Sequence, residues 1–124
     1  MGVEELVSKT IKSIEGSGVG SEAITFELED GTKYSMYHSQ DCCESVRLED
    51  VAGDLSDLIG SPIVRAEESS DDKLPAKDSD YTDSYTWTFY RIGTAKGLVV
   101  FRWYGTSNGY YSERVDFEKV ENGS

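Results

Sequence analysis

Apolar and polar residues alternate along several short stretches of the chain. The clearest is AITFELE, residues 23–29, where Ile24, Phe26 and Leu28 fall on one side of an extended backbone and Thr25, Glu27 and Glu29 on the other. That period of two marks a strand with one wet face. Asp30-Gly31 follows, a pair suited to a tight hairpin, and KYSMYH, 33–38, returns as the partner strand. Upstream, KTIKSIE, 9–15, reads as a first strand that runs into a turn containing Gly16, Gly18 and Gly20. Residues 46–48 and 63–67 read as short strands, the second just after Pro62.

Three stronger strands close the chain: SYTWTFYRI (84–92), LVVFRWY (98–104) and YYSERVDFEKV (110–120). Short turns at 94–97 and 105–109 separate them, which predicts an antiparallel three-stranded meander. One segment departs from the strand period. In 50–59, Val51, Leu55, Leu58 and Ile59 sit at helical spacing, with Asp54 placed to cap and Gly60 to stop a short helix. Residues 68–83 hold almost nothing apolar and predict an exposed acidic loop, and 121–124 a frayed tail. The expected fold is therefore a β-rich α+β domain spanning 1–124. It has a largely antiparallel sheet of about seven to eight strands and one short helix at 50–59.

At 124 residues the chain is long enough for a hydrophobic core without metals or disulfides. Eight Tyr, two Trp and four Phe supply buried area that a disordered chain lacks. With 12 Lys plus Arg against 24 Asp plus Glu, the net charge is −12. Such a field opposes contact with nucleic acid or an anionic membrane and favours a basic partner. Met1 to Thr10 carries no basic segment leading into an apolar run, and no stretch has the length of a membrane span, so a cytoplasmic protein is expected. The two cysteines, Cys42 and Cys43, are adjacent, a spacing that disfavours a disulfide between them and does not match a zinc pair.

Two constellations bear on chemistry. His38, the one histidine, lies within seven residues of Asp41, Cys42, Cys43 and Glu44. A carboxylate beside an imidazole and a thiol is the raw material of nucleophilic catalysis, so a small thiol or hydrolytic enzyme centred on His38 and Cys43 is one reading. The second constellation is the arginines. Arg47, Arg65, Arg91, Arg102 and Arg114 all fall on predicted strands. Arg91 shares a strand face with Tyr85, Trp87 and Phe89, and Arg102 with Leu98 and Val100. Guanidinium groups on rigid strands beside aromatic rings can grip phosphate while the rings stack on a base. The candidate ligand-binding set is Trp87, Arg91, Arg102, Trp103, Asn108, Tyr110 and Arg114, and cross-strand ion pairing is the purely structural alternative.

The segments MYHSQDCCESV (36–46), DLIGSPI (57–63), YTWTFY (85–90) and RWYGTSNGYYSERVDFE (102–118) resemble a family of uncharacterised small acidic proteins common in phage and prophage genomes. The resemblance implies a phage setting and carries no activity. It favours a non-enzymatic counter-defence protein that sequesters a small anionic nucleotide, in an infected or lysogenic cell, in some cases as a homo-oligomer. An acidic inhibitor of a basic, nucleic-acid-binding host protein is the alternative. Neither reading calls for a cofactor or a metal.

Overall fold

The computed structural model describes residues 3–16, 18, 20–38, 44–71, 84–107 and 115–120. They form two antiparallel four-stranded sheets. The first contains β1 (Ile11–Glu15), β2 (Ala23–Leu28), β3 (Lys33–Tyr37) and β8 (Asp116–Val120), in the order β1-β2-β3-β8. The second contains β4 (Ser45–Ala52), β5 (Ile63–Asp71), β6 (Ser84–Thr94) and β7 (Gly97–Ser107), in the order β4-β7-β6-β5.

Alternation decides which side of each strand is buried. Ile24, Phe26 and Leu28 of β2 face Tyr90 and Ile92 of β6 and Val99, Phe101 and Trp103 of β7 in one continuous core. Rings lock the two sheets together. Phe26 meets Phe101 edge-on at 5.7 Å, and Tyr90 lies 6.4 Å from Phe117. The Trp103 indole N–H points at the Met36 sulfur 3.1 Å away, and the Tyr90 hydroxyl donates to the Val115 carbonyl at 3.1 Å. Both contacts run from the second sheet to the other side of the core, and each gives a buried polar atom a partner.

Backbone bonds also join the flanks. Ser8 N–H donates to the Ile63 carbonyl and Ile63 N–H to that of Lys9. On the opposite edge of the second sheet, Gly20 N–H donates to the Leu48 carbonyl and Leu48 N–H to that of Ser21. The segment around β1 thus reaches both β5 and β4.

Three expectations are corrected. The helix at 50–59 does not form, and among the described residues the helical elements are two 3-10 turns, Val3–Leu6 and Leu55–Leu58. Asp50, Val51 and Ala52 instead continue β4, paired with Arg102, Phe101 and Val100. Gly53 then breaks the chain with φ +114°, outside helical space. Asp54 does cap the second 3-10 turn, accepting from Ser56 N–H at 3.0 Å, and bonds from Ser56 hold its carboxyl below the usual carboxylate range. Second, the acidic segment is ordered strand as far as Asp71, because β5 continues along β6 to pair Asp71 with Trp87. Its remainder, 72–83, lies outside the described residues, as does 121–124. Third, the C-terminal strands are not a meander. β4 takes the free edge of β7, and β8 crosses to pair with β3 in the first sheet.

Gly53 also permits a close approach. A Cβ placed there would sit 2.6 Å from the Leu98 carbonyl oxygen. Gly53→Ala is expected to lose about 1–3 kcal/mol of stability, read as a lower urea midpoint, because strained φ and backbone overlap add.

Candidate functional site

The outward side of the second sheet holds the residues that the arginine pattern singles out. β6 runs beside β7 without a bulge, so cross-strand rows follow from the register. One row is Arg47, Tyr104 and Trp87. The next is Asp50, Arg102, Phe89 and Ser69, and the next Ala52, Val100, Arg91 and Glu67. The inward neighbours Thr88, Tyr90 and Ile92 fill the core, which forces Tyr85, Trp87, Phe89 and Arg91 to the outer face.

The side chains on this face are interlocked. The Trp87 and Tyr104 rings are 4.5 Å apart, and Tyr85 lies 6.1 Å from Tyr104. The Arg102 guanidinium lies 5.4 Å from the Trp87 ring centre, and Arg91 lies 5.4 Å from that of Phe89. Arg102 reaches Asp50 at 3.6 Å, with their side chains 45% and 48% exposed. Arg91 donates to the Ser69 hydroxyl at 2.8 Å. Arg65 pairs with Glu67. Each of the two central arginines therefore stands over a ring and is steered by a polar neighbour, which limits the conformations it must give up on binding.

The structure brings Trp87, Arg91 and Arg102 together. It places Trp103 elsewhere: its side chain is fully buried, one position out of phase with Arg102, so it has no open face for stacking. Asn108, Tyr110 and Arg114 lie outside the described residues. Sequence pattern misses Asp50 and Ser69, because the strand segments that carry them have the spacing of a helix and the polarity of a loop. It also misses Tyr104, which is nonetheless legible, since it continues the Leu98, Val100, Arg102 period.

A second cluster stands at the end of the sandwich where β3 stops and β4 begins. His38 Nε2 and Glu44 Oε2 are 2.6 Å apart, with side-chain exposures of 4% and 0%. Glu44 is the carboxylate that meets the imidazole. Cys42 and Cys43 lie outside the described residues. Among the described residues, no three His, Cys, Asp or Glu side chains converge as a metal site.

On the opposite side of the molecule, the outer face of the first sheet is plainer. Tyr37 donates to Glu118 at 3.0 Å across β3 and β8, and that bond, with some burial, holds its phenol above the usual tyrosine range. Among the described residues, no helix is long and apolar enough to cross a membrane.

These features define a two-sheet antiparallel β-protein with an aromatic core and an arginine–aromatic outer face. The chain belongs to the family described as domain of unknown function DUF7448, whose model matches residues 4–117. No curated protein and no solved structure matches it.

Proposed function

We propose that this protein is a non-enzymatic binding domain that captures a small anionic nucleotide on the outer face of the second sheet. The observation that carries this reading is Arg91. In a chain of net charge −12 it stands over Phe89 and bonds to Ser69. An arginine positioned by a ring and a hydroxyl, whose cross-strand neighbour Glu67 pairs with Arg65 instead, is suited to a phosphate. The aromatic and guanidinium groups beside it make a setting suited to a base. The resemblance to phage and prophage proteins supports a setting in which the captured nucleotide is an immune signal of the host cell.

Calorimetry and thermal shift against AMP, ADP, ADP-ribose and cyclic dinucleotides test the reading. At least one is expected to bind, and Arg91→Ala to weaken it by about ten-fold or more, the worth of a charge-assisted hydrogen bond. Absence of binding across the panel would overturn it.

A further inference from the structure

Resting on the nucleotide-binding reading, we infer that the base stacks on the guanidinium plane of Arg102 and that Arg91 holds the phosphate. The rings themselves are already covered. Trp87 is only 9% exposed, with Tyr104 4.5 Å away on one side and the Arg102 guanidinium 5.4 Å from its centre. Phe89 has Arg91 over it at the same distance. A base reaching either ring would first have to displace an arginine.

A guanidinium is planar, and that of Arg102 is held between the Trp87 ring and Asp50 with its side chain 45% exposed, so it offers a planar cationic platform to one more ring. Bases stack on guanidinium planes as they do on aromatic side chains. The geometry thus extends the pile by one layer.

Charge separates the two arginines. Arg102 already has Asp50 at 3.6 Å, and a phosphate placed there would face that carboxylate. Arg91 has Ser69 as its hydrogen-bond partner, and its cross-strand neighbour Glu67 is taken up by Arg65. Phosphate is therefore directed to Arg91 and the uncharged base to Arg102.

Spacing is of the scale of one nucleotide unit. Trp87 and Phe89, the ring partners of Arg102 and Arg91, are alternate residues of a single strand, with backbone positions about 6.5–7 Å apart. That is the scale of the step from base to 5′-phosphate in a nucleoside monophosphate. The class of ligand is a nucleoside monophosphate, alone or as one unit of a larger molecule.

The test compares AMP with ribose 5-phosphate by calorimetry on the wild-type protein and on Arg102→Lys, which keeps the charge and removes the plane. Wild type is expected to bind AMP about ten-fold tighter than ribose 5-phosphate, the worth of one stacked base. In Arg102→Lys that preference disappears, while ribose 5-phosphate binds as before. Equal binding of the two ligands by wild type, or a preference that survives in Arg102→Lys, overturns the stacking assignment and leaves the anion site standing. Failure of both ligands to bind overturns the assignment to a nucleoside monophosphate unit, whereas the binding reading falls only if the wider nucleotide panel fails as well.

Discussion

Trp103→Ala is expected to cost about 3–5 kcal/mol of folding stability, close to the whole margin of a domain at the lower end of the usual range. Trp103 is among the largest fully buried side chains, and it lies in a core fed by both sheets. Removing it deletes the apolar contacts of an indole and leaves a cavity that neighbours on rigid strands fill only in part. It also takes away the N–H that meets the Met36 sulfur. Urea unfolding followed by circular dichroism checks this, with Trp103→Phe as the milder companion because it keeps a ring. A loss below about 1 kcal/mol for alanine would mean that the indole is not packed as described.

The pair His38 and Glu44 carries the second large effect. Glu44→Ala is expected to lower stability by about 3 kcal/mol, since it breaks a buried, closely spaced pair. Glu44→Gln retains an acceptor at the same place and should cost less. A double-mutant cycle isolates the contact: if the 2.6 Å pair is the source of the loss, adding His38→Ala to Glu44→Ala costs little more. Additive losses would show that the two side chains act independently. Because His38 follows a strand of the first sheet and Glu44 precedes one of the second, the measurement also reports how firmly the two are clasped at this end.

Much of the strand content was legible because alternation is a direct imprint of burial. Ile24, Phe26 and Leu28 are buried together, as their spacing requires. The same logic places Arg91 with Trp87 and Phe89, and four arginines, Arg47, Arg65, Arg91 and Arg102, do lie on strands. Alternation fails at two kinds of place. In β6 both sides are rich in large apolar residues, Trp87 and Phe89 on one and Tyr90 and Ile92 on the other, so the period marks two faces without saying which is inward. The choice is made by tertiary contact, when Tyr90 lands near Phe117 and finds the Val115 carbonyl. From β4 onward, Val51, Leu55, Leu58 and Ile59 mimic a helical stripe, yet they belong to a strand end, a 3-10 turn beyond a glycine break and the extended residue that caps that turn, and all put apolar groups into or against one core. The crossover of β8 was invisible for a different reason. Turn length predicts a neighbour only if the neighbouring edge is vacant, and β4 already occupies it.

The bonds from Ser8 and Lys9 to Ile63, and from Gly20 and Ser21 to Leu48, have a consequence for life at high concentration. β4 and β5 are the outermost strands of the longer-stranded sheet, and a bare outermost strand is a template on which a second molecule can crystallise its own backbone. Here the chain's own early segment takes up the backbone of one residue in each, Ile63 where β5 begins and Leu48 within β4, and Pro62, which lacks an N–H, flanks β5. At those two points the edge is closed by main chain, a closure that most side-chain substitutions leave in place.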